Sequence, residues 1–239
     1  LKLVLDGKAP DSLLDTYSKE RVFAADENLL NSTRSTDFIT PKSKTSLTFR
    51  NAVLNLAREH AFARALDSTF SFWATAEFAR RLVNSGRLSV PAYLTDSSLN
   101  TPDSGKFAGD MVAGAPMDDA PMREAGDDFW LLDRVGNKFM ALAYVDDPVA
   151  VDAKTARNFK ALADAPIPVE VVLVSPKAGI APEGLRVFED HAGRFAERFD
   201  AQPGTVYLMR PDQHVAARWR AFDAAAVKAA LARATCNVH

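Results

Sequence analysis

The run Val169-Glu170-Val171-Val172-Leu173-Val174 is almost continuously apolar. A strand with one face in water alternates apolar and polar residues, whereas a strand covered on both faces does not. Because this run does not alternate, it predicts a strand inside a sheet that has helices packed on both sides. The rest of the chain therefore has to supply those helices and the neighbouring strands.

The residues around this run give an element order that fits such a layered domain. Strand-forming residues at 129–132 and 139–145 predict a β-hairpin with Gly136-Asn137 as its turn. The remaining predicted elements are a helix at 152–163, a loop at 176–184, a strand at 185–188, a helical turn or two at 191–199, a hairpin of 205–209 with 215–219, and a helix at 222–234. This order predicts a thioredoxin-like sandwich, an α/β domain with a central mixed sheet flanked by helices.

The first 90 residues are predicted to be helical. One helix begins at Asp11 or Ser12, whose side chains can accept free amide hydrogens of a first turn, and extends to about Ser32. Two further amphipathic helices are predicted, at about 44–66 and 69–84. We expect the first of these three helices to bury Leu14, Tyr17, Phe23 and Leu30, and the second to bury Leu47, Val53, Leu54, Ala57, Ala61 and Leu66.

Charge divides the chain into three parts. Residues 91–150 contain 4 basic and 11 acidic side chains, so their net charge is −7. Within them, residues 91–128 are rich in Pro, Gly and Asp, which disfavour regular structure. The sequence therefore predicts a helical segment at 1–90, a linker with a long wrapping segment at 91–128, and a thioredoxin-like domain at 129–239.

The overall composition excludes several classes of protein. With 29 basic and 31 acidic side chains, the chain has no broad positive field for nucleic acid or anionic lipid. A single cysteine, Cys236, excludes an internal disulfide and a Cys-x-x-Cys site. No apolar run approaches the roughly 20 residues of a membrane span. The chain opens on Leu1 without a leader, and we expect it to be a piece of a longer, cytoplasmic protein.

Three segments carry a resemblance to a known family. The string Pro203-Gly204-Thr205-Val206-Tyr207-Leu208-Met209-Arg210-Pro211-Asp212-Gln213-His214-Val215-Ala216-Ala217-Arg218-Trp219 is similar to a signature near the carboxyl end of FAD-dependent aromatic-ring hydroxylases, the phenol hydroxylase and 3-(3-hydroxyphenyl)propionate hydroxylase type. Leu13-Leu14-Asp15-Thr16-Tyr17-Ser18-Lys19-Glu20-Arg21 resembles the L-L-x-x-Y-x-x-E-R that follows their flavin domain. Arg81-Leu82-Val83-Asn84-Ser85-Gly86-Arg87-Leu88-Ser89, with Tyr93 and Leu99, is a third match in the family's order.

The resemblance implies a parent protein that binds FAD, uses NAD(P)H and hydroxylates a phenolic ring. The family's glycine-rich turn for the FAD pyrophosphate lies upstream of the matched segments, and Gly105-x-x-x-Gly109 has neither its spacing nor its preceding strand. The resemblance therefore implies an upstream FAD-binding domain as partner and a likeness of residues 1–90 to the tail of that domain. It also implies a carboxyl-terminal domain that is structural and helps to form a homodimer. We expect no catalytic, cofactor-binding or metal-binding side chain in this chain.

The slot that carries the redox cysteines of a thioredoxin fold contains Val145-Asp146-Asp147-Pro148-Val149 here. Without a thiol at the amino end of the following helix, disulfide exchange is excluded. Asp147 before a proline has the pattern of a helix cap, and a site carboxylate is the less favoured alternative. Pro203 lies where thioredoxins carry a cis-proline, and we expect a trans bond here.

The remaining polar candidates have structural explanations that we favour. His60 lacks the second histidine of a zinc-protease helix, His191 is expected at a helix start, and His239 is terminal. His214 lies between Arg210 and Arg218, so a functional polar cluster is the alternative to a fold or interface role. The acidic pairs Asp118-Asp119 and Asp127-Asp128 are expected in solvent, and Cys236 is expected to be incidental. A free-standing, redox-inactive thioredoxin-like binding module, acting through its sheet edge or surface, remains the alternative function.

Overall fold

The computed structural model describes residues 1–59 and 91–237 of the chain. The chain forms two compact units, one containing residues 1–20 with those from 93 onward and the other containing residues 21–92. The helices are α1 Lys2–Leu5, α2 Ser12–Ile39, α3 Lys44–Glu59, α4 Leu131–Arg134, α5 Ala153–Ala163, α6 Arg194–Arg198 and α7 Ala224–Ala234. The strands are β1 Pro121–Glu124, β2 Asp127–Trp130, β3 Phe139–Tyr144, β4 Val169–Ser175, β5 Arg186–Glu189, β6 Val206–Met209 and β7 Val215–Trp219. Short 3-10 turns lie at Pro148–Ala150 and Pro182–Gly184.

The seven strands form one sheet in the order β2-β1-β5-β4-β3-β6-β7. Strands β3, β4 and β5 are parallel, and β3 reaches β4 through the crossover helix α5. Strand β6 pairs antiparallel with β3 and forms a hairpin with β7, after which α7 follows. A parallel β-α-β unit beside a β-hairpin and a final helix is the thioredoxin-like arrangement, so the predicted fold class is confirmed.

The central strands are covered on both faces, as the apolar run predicts. All six residues of β3 and six of the seven residues of β4 are buried. One face packs against apolar residues of α5 and α7, including Phe159, Leu162 and Leu231. The other face packs against α4, α6 and the segment before β1, including Leu131, Phe195 and Met111. Burial on both faces explains why the sequence does not alternate here.

Aspartates fix the starts of the two helices that cover the first face. The Asp152 carboxylate accepts the backbone N–H groups of Lys154 and Thr155 at 2.9 and 3.0 Å, and Asp223 accepts that of Ala225 at 2.8 Å. Such caps satisfy amide hydrogens that a helix cannot bond internally. The predicted helices at 152–163 and 222–234 therefore agree with α5 and α7 to within two residues at each end.

The predicted hairpin around Gly136-Asn137 is wrong. Residues 131–134 form α4 instead of continuing a strand, and β3 takes its partners from β4 and β6. The hairpin in this region is β1–β2, with Ala125 and Gly126 at its turn, both at positive φ. A strand at residues 121–124 was not predicted, because Pro121 and two charged residues do not show the pattern of a buried strand.

The segment before β1 wraps along the outer edge of β7. Thr101 donates its N–H to the carbonyl of Ala216 at 2.9 Å, and Gly114 donates to that of Val215 at 2.7 Å. Further along, Met117 donates to the carbonyl of Gln213 at 2.8 Å. The first residues of this sheet edge are therefore hydrogen-bonded within the first unit, and an acidic, Pro- and Gly-rich sequence still forms an ordered cover.

Other sequence predictions concern the amino-terminal helices. Helix α2 extends to Ile39, seven residues beyond the predicted end, and Leu47 and Leu54 of α3 are 40% and 51% exposed instead of buried. The predicted helix at 69–84, the motif at 81–89, His60 and His239 lie outside the described residues. None of the described helices is both long and apolar enough to cross a membrane.

Gly114 is the residue of the wrapping segment that tolerates substitution least. Its φ is +87°, and a Cβ there would lie 2.3 Å from the carbonyl oxygen of Leu94 and 2.6 Å from the Asn100 amide nitrogen. We expect Gly114→Ala to lower the free energy of unfolding by about 3 kcal/mol, because strain and a backbone clash add. Urea denaturation measures this change. Gly126→Ala is the matched control, since its φ is +99° with open space around it, and it should cost only about 1 kcal/mol. Equal losses in the two variants would contradict the close packing of the wrapping segment.

Candidate functional site

A buried ion pair joins two of the segments that carry the family resemblance. The guanidinium of Arg210 donates from Nη1 and Nη2 to the two carboxylate oxygens of Glu20, each at 2.7 Å. The side chains are 8% and 7% exposed. Two parallel, charge-assisted hydrogen bonds are the strongest geometry available to an arginine and a carboxylate. Glu20 belongs to the motif at 13–21 and Arg210 to the motif at 203–219, so one contact connects both.

Two further residues complete the hydrogen bonding of this pair. The Asp212 carboxylate accepts from Nε and Nη2 of Arg210 at 3.1 and 2.8 Å. The hydroxyl of Ser97 donates to Oε1 of Glu20. His214 is 6% exposed, and its Nδ1 lies 3.2 Å from the backbone oxygen of Asp212. Polar side chains therefore come together around Arg210 and His214, where the sequence analysis favoured a fold or interface role and kept a functional polar cluster as the alternative. We refer to Glu20, Ser97, Arg210, Asp212 and His214 as the Arg210 cluster.

Burial and charge act in opposite directions on the acids of the Arg210 cluster. Burial raises the pKa of Glu20. The hydrogen bonds and charge of Arg210, together with the hydrogen bond from Ser97, lower it by a larger amount, so the net shift is downward. The pKa of Asp212 is lowered well below its usual range, because His214 and Arg210 outweigh its desolvation. Both carboxylates are therefore ionised at neutral pH.

The face that α2 buries in the first unit is polar, which corrects the sequence prediction. Thr16 and Glu20 are 8% and 7% exposed, whereas Leu14 and Tyr17 are 39% and 64% exposed. In the second unit, Phe23 and Leu30 are 45% and 49% exposed. Apolar spacing predicted the wrong face because the group that receives this helix is a guanidinium. Thr16 and Glu20 are four residues apart and therefore lie on one face of the helix. This spacing is the sequence signal for the buried polar face, and it was missed.

A second arginine cluster holds the wrapping segment. Arg218 donates to both carboxylate oxygens of Asp103 at 2.6 to 3.1 Å, and its guanidinium carbon lies 4.3 Å from the centroid of the Phe107 ring. Arg220 lies over the same ring at 3.8 Å and is paired with Asp200. Sequence reasoning placed Arg218 beside Arg210, but the two side chains bind different carboxylates. Cation–π contacts of this kind add about 1 kcal/mol each near a surface, so this cluster is structural.

The slot that holds cysteines in redox thioredoxins contains a structural turn. Asp147 accepts the backbone N–H of Val149 at 3.0 Å and caps the 3-10 turn at Pro148–Ala150, as favoured from the sequence. Its other oxygen lies 3.6 Å from the Lys177 ammonium. The bond before Pro203 is trans. Cys236 follows α7 outside this slot, and burial raises the pKa of its thiol, which disfavours the reactive thiolate.

The other candidates from the sequence are the acidic pairs at 118–119 and 127–128 and His191. Asp119 accepts the backbone N–H groups of Ala120 and Leu132, at 2.9 and 3.0 Å, next to the start of α4. Asp128 pairs with Arg123 across the β1–β2 hairpin at 2.8 Å. His191 is exposed in the turn before α6. Burial raises the pKa of Asp118, with Arg198 opposing the shift and Asp110 and Asp119 adding to it, and the described part of the chain contains no group of three or more side chains that could hold a metal ion.

Gly105 and Gly109 do not form the glycine-rich turn that receives the pyrophosphate of FAD in the family. Gly105 and Gly109 lie in irregular chain, no described helix begins directly after them, and a Cβ on Gly105 would meet the Arg220 side chain at 3.3 Å. Two surface depressions have volumes of about 600 and 390 Å³, the first between residues 132–138 and 211–213 and the second beside α5 and α7. The lining of the first includes Asp133, Lys138 and Asp212, and that of the second includes Lys228 and Thr235.

Replacing Glu20 tests the energetics of the Arg210 cluster. Glu20→Gln keeps the shape but leaves the buried Arg210 charge without its main partner, so we expect a loss of about 3 kcal/mol at pH 7. Since the folded pKa of Glu20 lies below its unfolded value, its contribution is present above the unfolded pKa, about 4.3, and is lost as the pH falls through the folded pKa. Urea denaturation of both proteins between pH 3 and pH 7, about the range of carboxylate titration, measures this difference.

The control is Asp26→Asn, an exposed carboxylate on the same helix, which should change stability by less than about 0.5 kcal/mol. A difference between wild type and Glu20→Gln that stays constant across the acid range would show that the ionised carboxylate of Glu20 does not stabilise the fold.

Comparisons with known proteins agree with this geometry. Residues 122–234, just under half of the chain, match the model of the HcaD C-terminal domain. No curated protein matches the sequence. Among solved structures, the chain is similar to the flavin-dependent monooxygenase PieE in complex with FAD and substrate, with a TM-score of 0.56 and 22% identity over 99% of this chain and 42% of that one.

Two further structures show the same likeness. RebC-10x with bound 7-carboxy-K252c matches with a TM-score of 0.54 and 20% identity, over 99% of this chain and 39% of that one. The ternary complex of aklavinone-11 hydroxylase with FAD and aklavinone matches with a TM-score of 0.51 and 18% identity, over 98% and 37%. This chain spans about two fifths of the length of these proteins. The resemblance predicted from the sequence is therefore confirmed: this chain is similar to the carboxyl-terminal portion of FAD-dependent hydroxylases, and its residues 122–234 match the HcaD C-terminal domain.

Proposed function

We propose that this chain is the carboxyl-terminal structural portion of a cytoplasmic, FAD-dependent, NAD(P)H-using hydroxylase of phenolic rings. Its partners would be an upstream FAD-binding domain and a second subunit in a homodimer. In this proposal the upstream domain binds the flavin and the substrate, and the present chain contributes packing without catalytic side chains. The flavin would supply the oxygen chemistry, as cofactors of this class do.

One contact carries the proposal. The glutamate of the motif that follows the flavin domain in the family, Glu20, and the arginine of the carboxyl-terminal signature, Arg210, form one buried bidentate pair. Each motif alone is a short string that could occur by chance. A direct contact between their charged members gives both motifs a shared structural role, as expected if both derive from one hydroxylase architecture.

The thioredoxin slot supports a role without chemistry of its own. Asp147 caps a 3-10 turn there, and the single cysteine of the chain, Cys236, lies in another element. A redox thioredoxin needs a thiolate at the amino end of the helix after its first central strand. The fold is therefore suited to serve as packing surface and connection.

Exposed apolar side chains support the presence of large partners. In the second unit, α2 and α3 expose Val22, Phe23, Leu29, Leu30, Ile39, Leu47, Phe49, Leu54 and Leu56, each by 40% or more. Soluble monomers seldom expose this many large apolar residues on adjacent turns, and such surfaces usually contact another protein surface. The proposed flavin domain and second subunit would cover them.

The alternative, a free-standing binding module that uses its sheet edge, is less well supported. The outer edge of β7 is covered by backbone hydrogen bonds from the wrapping segment. The opposite edge is β2, a four-residue strand that carries Asp127 and Asp128. Short, charged edge strands oppose pairing with another chain. Strand addition is therefore disfavoured at both edges of the described sheet.

The experiment compares the chain with the longer product of its own reading frame. We expect the purified chain to show no flavin absorbance and no saturable quenching when FAD is titrated. The longer product should bind FAD and oxidise NAD(P)H in the presence of a phenol. Stoichiometric FAD binding by the chain alone, or an upstream reading frame without a strand, glycine-rich turn and helix, would contradict the proposal.

Two controls separate the parts of the proposal. Light scattering should give twice the 26.0 kDa chain mass, and a monomer at micromolar concentration would remove the homodimer while leaving the FAD assignment. An insulin-reduction assay should be negative for both the wild type and Cys236→Ser. Reduction that disappears in the variant would assign a redox function instead.

A further inference from the structure

Arg210 is oriented by its own turn, independently of α2. The Asp212 carboxylate, two residues along, accepts from Nε and Nη2 of Arg210. The backbone of the turn is closed by the N–H of Arg210, which donates to the carbonyl of His214 at 2.8 Å, and by the N–H of Gln213, which donates to that of Arg210 at 3.1 Å. The two terminal nitrogens of the guanidinium, Nη1 and Nη2, thereby both point at the position that the Glu20 carboxylate occupies.

Ser97 is fixed in the same way by its own segment. Its Oγ accepts the N–H of Leu99 at 3.2 Å, and its backbone N–H donates to the carbonyl of Leu94 at 3.1 Å. Since this backbone donor occupies a lone pair of Oγ, the hydroxyl hydrogen is free to donate to Oε1 of Glu20. Arg210 and Ser97 thus supply three donors from two segments to one carboxylate.

Helix α2 contributes little apolar burial at this contact. Its buried positions in the first unit are Thr16 and Glu20, and the Thr16 hydroxyl donates to the carbonyl of Leu13 at 2.7 Å within the helix itself. Leu14 and Tyr17 are 39% and 64% exposed. The carboxylate of Glu20 is therefore the main group that this part of the helix inserts into the carboxyl-terminal part of the unit.

We propose that Arg210 and Ser97 form a preorganised carboxylate-binding socket, which α2 fills with Glu20. The ligand class is a carboxylate, because three convergent donors and a buried positive charge match its two oxygens. When Glu20 is shortened, a small free carboxylate can bind in its place. The socket concerns this chain alone, and its failure would leave the proposed hydroxylase function standing.

Because of Asp212, the acid and the base of the pair cannot be exchanged between positions 20 and 210. In the exchanged pair E20R/R210E, the new carboxylate at position 210 faces the carboxylate of Asp212, and the guanidinium on α2 finds a hydroxyl donor at Ser97. Like charges at contact distance oppose each other, so the exchange does not restore stability. A simple ion pair between two side chains would tolerate the exchange.

The direct test is rescue of Glu20→Ala by a small carboxylate. We expect amide hydrogen exchange at residues 13–20 to become on the order of 100-fold faster in this variant. Sodium acetate should reverse the change in a saturable manner and raise the melting temperature. Sodium chloride at equal ionic strength and acetamide, which has the same shape without charge, should not.

Further variants assign the effect to the socket. Glu20→Ala with Arg210→Met should lose the response to acetate, and Glu20→Ala with Asp212→Asn should need a higher acetate concentration, because Arg210 is then less well oriented. Glu20→Gln fills the site and should show fast exchange without an acetate response. Asp26→Asn should behave as wild type with and without acetate.

Two results would overturn the socket. One is equal rescue by chloride and acetate, which would reduce the effect to charge screening. The other is unchanged exchange in Glu20→Ala, which would mean that the helix is fixed by other contacts. If Glu20→Ala does not fold in buffer, acetate must restore folding, and failure to do so counts against the proposal.

Discussion

The structure depends on how the charge of Arg210 is satisfied in a buried position. Moving a guanidinium and a carboxylate out of water costs several kcal/mol each, and only close, well-oriented pairing offsets that cost. The Arg210 cluster meets this requirement by bringing together α2, the segment at 94–99 and the turn between β6 and β7. These three parts of the chain are distant in sequence, so the ion pair fixes their mutual arrangement within the first unit.

The sheet supplies the rigid frame on which that cluster is built. Strand β6 ends and the edge strand β7 begins at the turn that carries Arg210 and Asp212. The wrapping segment follows the outer edge of β7 and brings Ser97 to the same place, with Arg218 and Phe107 holding its later part. The thioredoxin-like sheet thus positions these segments, and the slot that holds cysteines in redox thioredoxins contains the 3-10 turn capped by Asp147.

Much of the fold follows from local sequence signals, whereas the charged contacts between distant segments do not. Apolar continuity identified β4, and the predicted helices at 152–163 and 222–234 agree with α5 and α7 to within two residues, because these signals act within a few residues. The β1–β2 hairpin was missed because Pro121 in β1 and charged residues in both strands hide the pattern of a strand. The buried face of α2 was predicted wrongly because apolar spacing assumes an apolar receiving surface. The spacing of Thr16 and Glu20 marks a polar helix face, but the partner of Glu20, Arg210, is 190 residues away and no local signal identifies it.

A double-mutant cycle between Glu20 and Arg210 tests the central claim most directly. Urea denaturation of the wild type, Glu20→Ala, Arg210→Met and the double variant gives the coupling free energy between the two side chains. If the buried pair positions α2 on the carboxyl-terminal part of the unit, the coupling should be about 3 kcal/mol. Additive single losses, with a coupling below about 0.5 kcal/mol, would show that the pair is incidental and that other contacts determine this architecture.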